Sequence, residues 1–148
     1  MSILLQNLLT ASAMVAFTVT IHFFGLLALL RFLRQRGARF RAHESMLGQG
    51  ALVLFVVFGI LAIHTVEIWA YAFLYYSVGA LSDFESSLYF STVTFASLGY
   101  GDIVLPPRWR LVSAIEAANG VILFAWSTAF LLSVMARLRA LEHDWLER

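Results

Sequence analysis

Charged positions are so sparse along this chain that they divide it into segments by themselves. Between 8 and 30 no formally charged residue occurs, and at about 20 apolar residues per crossing that run is long enough to pass through a bilayer as a helix. Arg31, Arg34, Arg36, Arg39 and Arg41 follow in a connector that ends near Ser45, with Gly37 placed to break the helix. A second apolar run covers 50–78 and carries His64 and Glu67 in its interior. After Gly79 the texture shortens. Ser82-Asp83-Phe84-Glu85 reads as a capping box, the serine accepting from the first turn and Glu85 reaching back. The helix it starts has room only for 83–96, too short to cross, because a glycine-rich stretch and Pro106-Pro107 come next. A third run, 111–135, follows Arg108-Trp109-Arg110.

The pattern predicts an all-α membrane protein with three transmembrane helices and one short re-entrant helix with its loop. Irregular backbone at membrane depth is tolerated only where it is buried in protein or lines water, so the stretch after the short helix is expected in a pore or cavity. Composition agrees: of 148 residues 61% are hydrophobic and 13% charged, well outside the range of a soluble domain. Met1 to Gln6 has no basic run and no small-residue cleavage site follows, so the first apolar segment is expected to be a retained helix. There is no cysteine, which excludes disulfides, thiol catalysis and cysteine metal sites. All ten basic residues are arginine, and the arrangement that puts eight of them in the cytoplasm has the amino terminus outside and the carboxyl terminus inside. No internal repeat or low-complexity linker is present. The chain divides into 1–45, the first helix and its arginine-rich connector; 46–139, a module of outer helix 50–78, short helix 83–96, loop 97–101 and inner helix 111–135; and a tail, 140–148.

The loop carries the chemistry. In Ser97-Leu98-Gly99-Tyr100-Gly101-Asp102 two glycines bracket an aromatic residue, which lets the backbone take alternating hands and turn successive carbonyls the same way. Ionisable groups inside the spans are costly and need named partners. His64 and Glu67 lie one turn apart and can pair, and His22 reaches them if the first two helices pack side by side. The trio reads either as a proton- or metal-sensitive gating cluster or as an interhelical lock; its spacing is generic for zinc. Glu116 either braces the short helix or contributes to a negative cavity, bracing being favoured because four unpaired carboxylates in a ring are costly. Asn119 faces a cavity or makes a helix-packing hydrogen bond, and Gly120 is a hinge or a close-packing site. Trp69, Tyr71, Tyr75, Tyr76 and Trp109 read as interface anchors and aromatic packing. No nucleophile or standard metal motif points to an enzyme, and the first span has no repeated arginines at membrane depth that would make it a voltage sensor.

Span, capped short helix, Gly-Tyr-Gly-Asp, prolines and span form the layout of a known family. Tyr89-Phe-Ser-Thr-Val-Thr-Phe-Ala-Ser-Leu-Gly-Tyr-Gly-Asp resembles the bacterial two-span potassium-channel group over about 50–139, with one additional N-terminal helix. The resemblance implies a homotetramer around a fourfold axis in a bacterial inner membrane, 97–101 serving as selectivity filter and 83–96 as pore helix. It implies potassium at the carbonyls of Ser97, Leu98, Gly99 and Tyr100, with the Ser97 hydroxyl closing the innermost site. The carboxyl end of the pore helix near Ala96 would point its negative dipole at the ions. Tyr89 and Asp102 would tie the filter's outer end to the pore helix, and Gly120 falls where inner helices carry a hinge. Expected partners are potassium ions, lipid and further copies of the chain, with no nucleic acid and no cofactor beyond the transported ion. Three positions depart from the family: Ser97 for the usual threonine, Leu98 for valine or isoleucine, and Ala96 without a hydroxyl. They point to a less rigid filter, so a weakly selective sodium/potassium channel stands as an alternative. A non-conducting accessory subunit with a pore-like fold is another.

Overall fold

A computed structural model of the chain describes residues 2–37 and 46–146, with side chains described for 2–35 and 47–137. Among the described residues there are four α-helices and no strand: α1 (Ile3–Gly37), α2 (Met46–Ser77), α3 (Phe84–Phe95) and α4 (Arg110–Leu146). Arg39, Arg41, the expected boundary near Ser45 and Arg148 lie outside the described residues.

Three of these helices are long and apolar enough to cross a membrane, over Ile3–Gln35, Leu47–Ser77 and Arg110–Arg137. Each has apolar side chains on several faces, and large ones such as Phe24, Phe58, Phe73 and Ile122 stand exposed, as helices surrounded by hydrocarbon do. Helix α4 stays helical past the end of its apolar run, through Arg137 to Leu146, so the expected tail begins as a continuation of the same rod. Helix α1 packs against both α2 and α4, and α3 is wedged between α2 and α4. The α1–α2 approach is close because glycines face bulk: a Cβ on Gly25 would lie 2.7 Å from the Ile63 side chain, and one on Gly59 would run into Leu29.

Apolar packing gathers in two clusters. One surrounds α3, with Tyr71, Tyr75, Phe90, Phe95, Leu105, Val112 and Leu123 buried in it. The other joins α1, α2 and the later half of α4 through Leu26, Val56, Ile60, Ile63 and Val134. Tyr71 and Tyr75 are thus core residues and not interface anchors, whereas Trp69 and Tyr76 are exposed.

The start of α3 corrects one expectation. Asp83, not Ser82, is the N-cap: its backbone is extended and its carboxylate accepts from the Ser86 amide at 2.8 Å. Ser82 and Ser86 both donate their hydroxyls to the same carboxylate, at 3.0 and 2.9 Å. A charged acceptor at the positive end of the helix outcompetes a neutral hydroxyl, which turns round to become a donor. These bonds, led by the Ser86 amide, hold the Asp83 carboxyl below its usual range.

Candidate functional site

Helix α3 ends in a way that sets the geometry of everything after it. Ser97 N–H donates to the Thr94 carbonyl at 2.8 Å and Leu98 N–H to the Val93 carbonyl at 2.9 Å, the paired bonds of a Schellman motif. That motif needs a left-handed residue at its turning point, and Ser97 supplies it with φ of 58°. Gly99 at 56° and Gly101 at 79° repeat the positive φ at every second position. Alternation was legible from the two glycines; its beginning at a residue with a Cβ was not. Beyond the turn the segment leaves the core of the chain, Leu98 being 57% and Tyr100 67% exposed.

The far end of the segment is tied back to α3. Tyr89 donates its hydroxyl to Asp102 at 2.7 Å, joining the two residues that the sequence singled out together. The bond lowers the Asp102 pKa and raises that of Tyr89, since it favours the charged acid and the neutral phenol. The chain then returns to α4 through a turn in which Trp109 N–H reaches the Pro106 carbonyl, while Arg110 donates to the carbonyl of buried Leu105. A cavity of about 350 Å³ lies between the segment and α4, lined by Thr94, Ser97, Gly99, Gly101, Ser113 and Ala117 among others. Ser97 Oγ donates across it to the Ala117 carbonyl at 3.4 Å.

Behind the segment sits Glu116, fully buried on α4. Its two oxygens accept from Ser91 on α3 at 2.6 Å and Tyr75 on α2 at 2.5 Å, and Ser91 also contacts the Ile68 carbonyl at 2.9 Å. One carboxylate therefore clamps three helices, the bracing geometry and not a cavity-facing one. Gly120, one turn on, is where α4 meets the end of α3: a Cβ there would collide with the Phe95 carbonyl. The contact fits close packing. Asn119 points the other way, donating to Thr18 of α1 at 2.8 Å, with the Tyr71 hydroxyl at 3.5 Å. Its contacts match the helix-packing alternative and not the cavity.

Deeper along the bundle, Glu67 stands between two imidazoles. His22 Nδ1 lies 2.9 Å from Oε1 and His64 Nδ1 2.8 Å from Oε2, with all three residues buried. His64 Nε2 meets Ser127 Oγ of α4 at 2.9 Å. The trio thus comes together as α1–α2 packing requires. Phe95 links it to the segment, its ring centre 6.0 Å from that of His64 and 5.6 Å from that of Phe124.

The sequence missed the partners. Tyr75, Ser91, Thr18 and Ser127 each complete a buried bond, as does Asn7, which donates to the Arg108 carbonyl at 2.6 Å. For Asn7 and Thr18 a signal existed, since each is a polar group within the long apolar first span; Ser91, among the several hydroxyls of α3, gave none. No curated protein and no solved structure matches the chain. Residues 63–137, just over half of its 148, match a family model described as an ion channel. That stretch holds α3, the segment, Asp102 and Glu116 but leaves out α1. With three helices able to span a bilayer, the chain is a multi-pass membrane protein belonging to the ion channel family.

Proposed function

We propose that the chain is one subunit of a homotetrameric potassium channel in which 97–101 is the selectivity filter and α3 the re-entrant pore helix. The observation that carries this reading is the positive φ at Ser97, Gly99 and Gly101. Regular alternation of hand turns the carbonyls of Ser97, Leu98, Gly99 and Tyr100 to one side, where four copies would replace an ion's water with oxygen. The Ser97 hydroxyl donates to Ala117 and keeps lone pairs free to close the innermost site. Tyr100, two-thirds exposed in the single chain, gains cover from a neighbouring subunit. In this reading the filter lies toward the outer face of a bacterial inner membrane, with the amino terminus outside.

Current through purified protein in a planar bilayer, with potassium on one side and sodium on the other, tests it. The reversal potential should follow the potassium gradient. A reversal near zero would favour the weakly selective reading, which draws on Leu98 being 57% exposed and on the missing methyl at Ser97. No current under any ionic condition would leave only the accessory-subunit reading.

A further inference from the structure

The geometry points to a divalent transition-metal site made by His22, His64 and Glu67. Each offers one donor atom, these lie within 4.8 Å of one another, and all three residues are buried. Two imidazoles and one carboxylate are the donor set of an open zinc-type site, with a fourth position left for water. Tetrahedral coordination places donors about 3.4 Å apart. The two imidazole–carboxylate separations, 2.9 and 2.8 Å, run to different oxygens of Glu67, and with one donor atom from each residue the set lies within 4.8 Å, so side-chain movements on the order of 1 Å bring the three to the spacing an ion needs. Imidazole and carboxylate donors suit zinc, cobalt and nickel and exclude none of them by softness.

Two independent features favour an ion over a plain hydrogen-bonded lock. First, His22 Nε2 is buried without a partner, alone in this among the described side chains. While His22 Nδ1–H donates to Glu67, Nε2 is an acceptor with nothing to accept. Metal capture through Nδ1 moves the ring proton to Nε2, and the neighbouring aromatic surface is the Trp126 indole, 5.1 Å away centre to centre, a face that takes an N–H. Second, the Glu67 carboxyl group is fully buried between the two imidazoles, and a cation among these donors offsets the cost of keeping it out of water. The surroundings are fitted as well. Ser127 meets His64 Nε2 at 2.9 Å and fixes its ring, as second-layer partners of metal-bound histidines do. A crevice of about 190 Å³ between α2 and α4 reaches His64, walled by Ile60, Leu61, Phe124, Ser127 and Thr128.

Because His22 belongs to α1, and His64 and Glu67 to α2, a bound ion staples the additional helix to the channel module. That consequence for gating rests on the channel reading; the site itself does not. The test is therefore binding, measured on the full chain purified in detergent without any current. Zinc titrated calorimetrically should bind one ion per chain. Cobalt or nickel should quench tryptophan fluorescence, most of the quenching being lost in Trp126→Phe while zinc binding persists. Affinity should fall at least tenfold in His22→Gln and Glu67→Gln, and about 10- to 100-fold in Ser127→Ala, which keeps every ligand. If the ligand variants do not fold, by helical circular dichroism and elution volume, Ser127→Ala and Trp126→Phe decide. No saturable binding by the unmodified chain, or unchanged affinity in Ser127→Ala and in the folded ligand variants, overturns the site. A chain that binds metal and carries no current would sink the channel reading and leave the site standing.

Discussion

Ser97 has a left-handed backbone at φ of 58°, which costs a residue with a Cβ about 1–2 kcal/mol. Ser97→Gly removes that strain and should raise the stability of the solubilised protein by about 1 kcal/mol. If the hydroxyl closes an ion site, the same change should lower potassium conductance, so thermal unfolding and single-channel current should move in opposite directions. Gly120 is the reverse case. Its φ is ordinary for a helix, but the Phe95 carbonyl occupies the space a methyl would need. Gly120→Ala should destabilise by about 1–3 kcal/mol, and an unchanged unfolding midpoint would show that α4 can move aside cheaply. For Tyr89 and Asp102 the sign of any pH effect follows from the two shifts. Asp102 is depressed from 3.8, so its contribution is complete above that pH and fades only as pH falls through the lowered value. Tyr89 is raised from 10.0, so its contribution is complete below that pH and fades as pH rises through the raised value. The tie should be constant between pH 5 and 9, and in that window Asp102→Asn should reproduce the channel's behaviour in strong acid. Recordings across pH check this.

Helix α3 shows what an amino-acid pattern can and cannot disclose. Its presence and length follow from a polar start, a glycine-rich end and too few residues to cross a bilayer. Of its seat only the brace at Glu116 could be named, because the partners Ser91 and Tyr75 approach it only when three helices settle into register. The cap was misread for a related reason: Ser82 and Asp83 both qualify as caps by type, and the choice between them turns on which side chain ends up facing the free amides. Which of the aromatics anchor and which pack was likewise not separable, since an aromatic near the end of an apolar helix suits a membrane interface and a packed core equally well; Tyr71 and Tyr75 pack. The clamp makes a prediction at this level. Glu116→Gln retains an acceptor and the volume and should be mild, whereas Glu116→Ala strands the buried Tyr75 hydroxyl at about 1–3 kcal/mol and leaves Ser91 only the Ile68 carbonyl. The difference should appear as an earlier unfolding of the alanine protein and, if 97–101 is the filter, as less steady current in recordings. Equal behaviour of the two variants would mean that volume, not hydrogen bonding, holds α3.

The family match begins within α2, yet the helix it omits is wired into the rest. Helix α1 reaches the channel module through Asn7 to Arg108, Thr18 to Asn119, and His22 to Glu67, at 2.6, 2.8 and 2.9 Å. These bonds lie at successive depths, so α1 is fixed in rotation as well as in position. Thr18→Val and Asn119→Leu should be less than additive, with a coupling of about 0.6 kcal/mol and at most roughly 1.7, the range measured for hydrogen bonds between membrane helices. A double-mutant cycle on unfolding in mixed micelles reads it directly, and strict additivity would show the bond to be idle.

The exposure of Leu98 and Tyr100 has a consequence for inheritance. In the proposed fourfold assembly, where that segment would find its cover on other copies of the chain, every subunit is answerable for its neighbours. In a fourfold ring, one strand that cannot adopt the alternating backbone would spoil the path for the other three. When a Gly101→Ala gene is expressed alongside an equal dose of the unaltered one, only about one ring in sixteen escapes a defective member. Such an allele should therefore act dominantly, although the protein it encodes remains largely intact.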